Sequence, residues 1–310
     1  MNIEVVLTEA EIAQEFAEAM EARDLPEKFF FWSPRSAEAW RDLSCEENLF
    51  GGLTATWRTL AADAHSVAGR LSDRVPVISF GAGDGARDRL LLDGLKQAGS
   101  DCHYYPVDAS QALLEVACAG ADDEDFENTG IKADISSPVH LVYAADAAEP
   151  PRLFILSGNT LGSFDPLAQI RYVAQCLKSG DLLIVDGEIY EESITLGRRE
   201  HPAVRSFLAS LLRSVGIDHG EGEIRFEDKI DERHRGLHQI TRSVRAERDL
   251  VASVNGEQVP LERGERIGLN FQYAYTPDSF RWLVRQQGGF EIEQEYLSPD
   301  GRFLTAVCRK

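Results

Sequence analysis

The sequence predicts an α/β fold around a mostly parallel sheet, on three observations. Short apolar runs alternate with helical segments of ten or more residues, the pattern of βαβ units. One run, residues 75–80 (VPVISF), passes directly into Gly81-Ala82-Gly83-Asp84-Gly85, a glycine turn between strand and helix. Two later apolar runs end on aspartates, Asp108 and Asp186. In open α/β sheets the carboxyl ends of the strands face the ligand crevice.

The elements follow in order. Residues 8–22 place Ile12, Phe16, Ala19 and Met20 at helical spacing, and Thr8 followed by Glu11 is a capping box. Further helices are expected over residues 36–43 and 54–71. Residues 1–70 therefore read as a helical cap. The strand at 75–80 and its glycine turn lead into a helix over 87–98, with Leu90, Leu91, Leu92 and Leu95 on its buried side. A strand over 103–107 ends at Asp108, and a helix covers 109–119. Residues 141–145 are apolar and read as the third strand, ending at Asp146. Strands at 153–156 and 182–185 flank a helix over 166–177 that opens on Pro166. From residue 187 the alternation breaks. Residues 202–215 are helical, and 237–262 read as antiparallel strands with Asn255-Gly256 as a hairpin turn. The core is expected to resume near Ile267, with a helix over 277–287 and strands over 290–296 and 303–309. Ser298-Pro299-Asp300-Gly301 is the turn between those strands. The result is a Rossmann-like seven-strand sheet closed by an antiparallel hairpin. Its core is residues 71–187 and 267–310, with an α+β substrate domain inserted over 188–266.

The totals narrow the partners. The chain has 310 residues, 43% hydrophobic and 27% charged, with a formal net charge of −20. A field of that sign repels phosphate backbones, so no nucleic-acid partner is expected. No apolar run approaches the roughly 20 residues of a membrane span. Residues 1–10 lack the basic, apolar pattern of an export signal, so a cytoplasmic location is expected, as a monomer or homodimer. The five cysteines are odd in number and widely spaced, which indicates reduced thiols. No metal site is expected. His234 and His238 have ligand spacing, but Gly236 between them weakens a helix. Residues 122–125 (DDED) lack the glycine and terminal glutamate of a calcium loop.

The chemistry concentrates on the strand ends. The turn after Phe80, through Gly81, Ala82 and Gly83, lets the backbone approach a ligand and aims the next helix at it. Asp108, with Ala109 and Ser110 behind it, can accept hydrogen bonds from two ribose hydroxyls. Asp146 and Ala147 are expected at the adenine amino group. Ser157 and Gly158 open the loop after the fourth strand, where the reacting groups should meet. Dinucleotide binding by an oxidoreductase is the nearest alternative. Position 86 is Ala where G-x-G-x-x-G has its third glycine, and Asp108 lies 27 positions after Gly81, slightly far for that pattern.

These segments resemble the histidine Nα-methyltransferases of ergothioneine biosynthesis and their amino-acid N-methyltransferase relatives. The resemblance runs from about Lys28 to the C-terminus. It rests on residues 28–40 (KFFFWSPRSAEAW), on 80–92 (FGAGDGARDRLLL, with Arg87 where the family has Lys), and on Tyr105-Pro106-Val107-Asp108-Ala109-Ser110. Residues 153–164 and 180–186 add two more segments. The resemblance implies S-adenosyl-L-methionine (SAM) as cofactor and methyl transfer to a small molecule as activity. It implies that the Gly81 loop holds the methionyl part, Asp108 the ribose and Asp146 the adenine region, with Arg87 among the cofactor-site residues. The acceptor side departs from the family. Glu47-Asn48 stand where it has a Tyr-Tyr pair, Ser163 aligns with its substrate-binding Asn, and Asn270 and Gln272 align with its histidine-recognising Glu and Ser. The expected acceptor is therefore an amino acid or related amine other than histidine. Candidate acceptor-side residues are Asn159, Ser163, Glu188, Tyr190, Asn270, Gln272 and Tyr273. A module that binds SAM without catalysis is the third possibility.

Overall fold

A computed structural model describes residues 2–218, 221–254 and 257–310. The chain begins with strand β1 (Ile3–Val5) and helix α1 (Glu9–Ala22). The capping box forms: the Glu11 N–H donates to Thr8 Oγ1 (3.2 Å) and the Thr8 N–H to Glu11 Oε2 (2.8 Å). Helices α2 (Phe29–Trp32), α3 (Pro34–Ser44), α4 (Glu47–Ala62) and α5 (Ala64–Ala68) complete the cap. Ser33 accepts from the Ser36 N–H (3.1 Å) and Pro34 opens α3, a start that needs no donor from proline.

The core follows as β2 (Arg74–Phe80), α6 (Ala86–Gln97), β3 (Asp101–Asp108), α7 (Gln111–Asp123), β4 (Glu127–Asn128), β5 (Gly130–Lys132), α8 (Pro138–Ala145), β6 (Leu153–Leu156), α9 (Pro166–Cys176) and β7 (Leu182–Glu188). The insertion contributes α10 (Glu192–Arg199), α11 (Pro202–Ser214), β8 (Gly222–Ile230), β9 (Leu237–Ala246), β10 (Leu250–Val254), β11 (Glu257–Leu261) and β12 (Arg266–Tyr275). Helix α12 (Pro277–Trp282) and strands β13 (Glu291–Leu297) and β14 (Phe303–Arg309) close the fold.

The main sheet runs β1-β5-β3-β2-β6-β7-β14-β13, with β4 alongside β3. It is parallel except for β14, antiparallel to both β7 and β13. Seven of these strands, from β5 to β13, match the expected number, and all but β5 were expected; β1 adds an edge within what read as a purely helical cap. Strand β2 has β3 on one side and β6 on the other, so the chain reverses direction across the sheet there. Ligands of such sheets sit at the carboxyl ends beside that reversal. At the opposite end, Arg152 and Asp181 are fully buried, with Nη2 and Oδ2 2.7 Å apart, and tie β6 to β7.

Two expected elements differ. Residues 141–145 are not the third strand but the end of α8. Ser137 caps that helix and Pro138 opens it, and an apolar run of five is as compatible with a buried helix as with a strand. The third strand is β5, three residues long. The strand expected to resume the core at Ile267 pairs with β9 in a separate sheet, β12-β9-β8. The β10–β11 hairpin forms as expected; its turn, Asn255-Gly256, lies outside the described residues.

The cap and the insertion share one apolar core. Phe16, Phe29 and Phe30 pack with Phe207, Leu208 and Leu269. The Leu25 N–H donates to the Gly268 carbonyl (2.9 Å), and Phe31 lies 5.5 Å from Phe207 between ring centres. Among the described residues no helix is long and apolar enough to cross a membrane.

Candidate active site

The glycine turn adopts left-handed conformations at Gly81 (φ 71°) and Gly83 (φ 59°), which side chains disfavour. A Cβ at Gly81 would also lie 2.9 Å from Thr160 Cγ2. Glycine here serves both backbone shape and close approach.

Asp108 organises this turn. Its Oδ2 accepts from the Gly83 N–H (3.0 Å) and its Oδ1 from the Ser110 N–H (2.9 Å). A carboxylate offers about four lone-pair sites, so roughly two remain open. Burial pushes the Asp108 carboxyl above the usual carboxylate range, and the amide bonds to Ser110 and Gly83 oppose that shift. Asp186, at the corresponding place on β7, accepts from the Gly158 N–H (3.0 Å) and the Asn159 N–H (2.7 Å). Two strand-end carboxylates thus pin the two loops that face each other across β2 and β6.

A cavity with about 1320 Å³ of empty space, part of it open to solvent, lies over these loops. Gly81, Ala82, Gly83, Arg87, Asp108 and Ala109 line it from the core, with Ser157 and Gly158 from the β6 loop. Ser163 and Gln272, two of the candidate acceptor-side residues, also line it.

Other expected residues lie elsewhere. Phe80 is buried behind the turn against Phe154, and Ser110 caps α7 by accepting from the Leu113 N–H (3.3 Å). Asp146 and Ala147 do not reach the cavity. Because 138–145 is helix, Asp146 becomes its C-cap, an exposed group 4.0 Å from Lys178 Nζ. Asp134, just after β5, occupies the wall instead; it accepts from Lys28 Nζ (2.6 Å) and the Ser136 N–H (2.8 Å). Asn159 is buried and spends its side chain on the Tyr273 carbonyl (2.9 Å) and the Glu188 N–H (3.1 Å). Glu188 is buried in ion pairs with Arg198 (2.9 Å) and Arg199. Tyr190 stacks on His238 (3.4 Å between ring centres) and donates to Asp228. Tyr273 donates to Asp231 (2.8 Å). Asn270 sits behind the wall, donating to Glu27 and to the Ser163 carbonyl (3.2 Å). His234 stacks on Trp282 while His238 lies in β9, so the two imidazoles serve different aromatic partners.

Several wall residues lie outside the expected site residues; Phe31 and Trp40 fall in the family-like segment 28–40, and the others carried no sequence signal of their own. Glu27, Phe31 and Trp40 come from the cap; Arg198, Arg199 and Phe207 from α10 and α11; Arg242 from β9. Glu27 accepts from Ser163 Oγ (3.2 Å), so two expected acceptor-side residues, Ser163 and Asn270, converge on a carboxylate that was not expected.

Residues 9–310 match the family described as "Histidine-specific methyltransferase, SAM-dependent". The chain belongs to this family. Histidine N-alpha-methyltransferase of Mycobacterium tuberculosis (strain CDC 1551 / Oshkosh) is 25% identical over 126 residues, 39% of this chain; the match spans only 38% of that relative's length. Among solved structures, an O-methyltransferase family protein from Burkholderia thailandensis is similar at a TM-score of 0.49 and 11% identity, covering 91% of this chain and 61% of that one. A putative methyltransferase from Thermobifida fusca YX is similar at 0.46 and 14% identity, covering 98% and 89%.

The residues present fit the family's cofactor. Asp108 lines the cavity, and Arg87 Nε and Ser157 Oγ are buried without a hydrogen-bond partner among the described residues. A Cβ at Gly81 would meet Thr160 and one at Gly83 would meet Trp40, so glycine lets the loop pack this closely.

Proposed function

We propose that this chain methylates the amine of a small molecule other than histidine, an amino acid or a related amine, with SAM as methyl donor. One observation carries this: Glu27 lines the same cavity as the glycine turn and Asp108. SAM, when bound, supplies an electrophilic methyl group on a sulfonium whose leaving group is neutral. The protein's task is then mainly alignment and exclusion of water, and alignment can be worth roughly 7–11 kcal/mol. Asp108 holds the ribose hydroxyls, Arg87 the methionyl carboxylate, and Asp134 stands on the wall expected for adenine. Phe31 and Trp40 cover the cavity with apolar surface. Glu27, fixed by Ser163 and Asn270, holds the incoming ammonium and takes its proton as the amine becomes nucleophilic.

The acceptor side supports a molecule other than histidine. Asn270 spends its amide within the wall, Gln272 is neutral, and no tyrosine pair stands at Glu47-Asn48.

Calorimetry with SAM and S-adenosylhomocysteine, joined to mass spectrometry of a metabolite extract incubated with methyl-labelled SAM, tests the proposal. Absence of SAM binding rejects it. Binding without any labelled product would favour the non-catalytic alternative. Glu27→Gln should lower turnover by about 10²-fold or more and leave S-adenosylhomocysteine affinity within about threefold; unchanged turnover would remove Glu27 from the mechanism.

A further inference from the structure

The acceptor wall holds more positive charge than its own acids neutralise. Arg198, Arg199 and Arg242 line the cavity, and each is less than a tenth exposed. Two carboxylates serve these three guanidiniums. Glu188 pairs with Arg198 (2.9 Å) and Arg199, and Glu27 lies 3.5 Å from Arg242 Nη2. Glu27 is already shared with Ser163 and Asn270. Nearby Arg302 and Asp300, which Arg198 also feels, offset each other. The remaining acids of the cavity face other partners. Asp84 and Asp88 act on Arg87, Asp134 pairs with Lys28, and Asp108 accepts from the Gly83 and Ser110 amides.

A buried cation that must share its anion keeps part of its desolvation cost, and two carboxylates are shared here among three guanidiniums. The Nε of all three arginines is buried with no hydrogen-bond partner among the described residues. Burial lowers the pKa of Arg242 against the opposing charge of Glu27; the neighbouring Arg199 lowers it further and Glu188 opposes. Guanidiniums present a planar fork that suits carboxylate and phosphoryl oxygens.

The geometry points to an oxyanion subsite formed by Arg199 and Arg242, with Arg198 behind them, that selects acceptors carrying an extra carboxylate or phosphoryl group. This rests on the methyltransferase reading above and narrows its acceptor to acidic small molecules. Arg87, on the helix that follows the glycine turn, remains for the cofactor's own carboxylate. The subsite also reverses locally the sign of a chain whose net charge is −20.

The test titrates matched pairs into the full chain saturated with S-adenosylhomocysteine: L-glutamate against L-glutamine, and O-phospho-L-serine against L-serine. Each pair keeps the amino-acid head group and changes only the side-chain charge. At least one acidic member should bind about tenfold or more tighter than its neutral match. A preference confined to one pair assigns carboxylate or phosphoryl. Arg242→Gln and Arg199→Gln should each remove about 10- to 100-fold of that affinity, and Arg242→Lys should restore part of it, with S-adenosylhomocysteine affinity within twofold throughout. That last readout also shows that the variants fold. Equal binding within both pairs, or a preference that survives Arg242→Gln, overturns the subsite. Failure of S-adenosylhomocysteine to bind the wild type overturns the cofactor reading instead, and is seen first in the same titration.

Discussion

Replacing Asp108 with alanine separates what this carboxylate does for the ligand from what it does for the fold. It accepts from the Gly83 and Ser110 amides, at 3.0 and 2.9 Å, and lines the cavity. A hydrogen bond to a charged group is worth about 1.5–3 kcal/mol net. Loss of one ribose bond alone therefore predicts about 10- to 150-fold weaker SAM binding; loss of both predicts more. Each amide left unpaired and buried adds about 1–3 kcal/mol of destabilisation, lowering Tm by several degrees. Calorimetry of SAM and S-adenosylhomocysteine, with a thermal melt of the unliganded variant, reads both effects. Asp108→Asn keeps one acceptor oxygen and should fall between wild type and alanine in both readouts. A variant that melts lower yet binds SAM within twofold of wild type would refute the ribose role and leave Asp108 as a loop anchor only.

Three further outcomes are expected. Burial pushes the Asp88 carboxyl up to about 6, against a hydrogen bond donated by Tyr104 (2.6 Å). Between about pH 4 and 6 the native state thus holds a proton that the unfolded chain has released, so this group's contribution falls as pH rises; Asp88→Asn should remove about 3 kcal/mol of that decline. Urea unfolding across that range checks it, and parallel curves for wild type and variant would refute it. Asp146→Ala should leave S-adenosylhomocysteine affinity within twofold while Asp134→Ala weakens it; calorimetry giving the reverse order would restore the sequence-based assignment. Asp181→Ala, which strands a fully buried Arg152, should cost about 3–5 kcal/mol in urea unfolding, and a loss under 1 kcal/mol would show that the arginine finds water.

The cofactor half was legible because its signals are local. A strand, a glycine turn, a helix and a second strand ending at Asp108 lie within one continuous stretch, and the structure bonds Gly83 to Asp108. Asp146 misled because the apolar run before it has no period long enough to separate helix from strand. Ser137-Pro138, a cap followed by proline, was the signal that would have decided it. Asp134 was missed because β5 is too short to show alternation. Asn159 and Glu188 were expected on the acceptor side, but their side chains are spent on the Tyr273 carbonyl and the Glu188 amide and on Arg198 and Arg199; single-residue chemistry does not say which way a side chain faces. Glu27, Arg199 and Arg242 meet only through the packing of the cap on the insertion, a contact between segments far apart in sequence.

That shared core has a consequence for synthesis. Phe16, Phe29 and Phe30 are made early, but Phe207 and Leu269 emerge only after most of the sheet. A nascent chain on the ribosome that has passed β7 can pair its parallel strands while these aromatic rings stay uncovered. Such surfaces favour aggregation until the later segments cover them. The chamber for the acceptor is enclosed last, once β12 has left the exit tunnel.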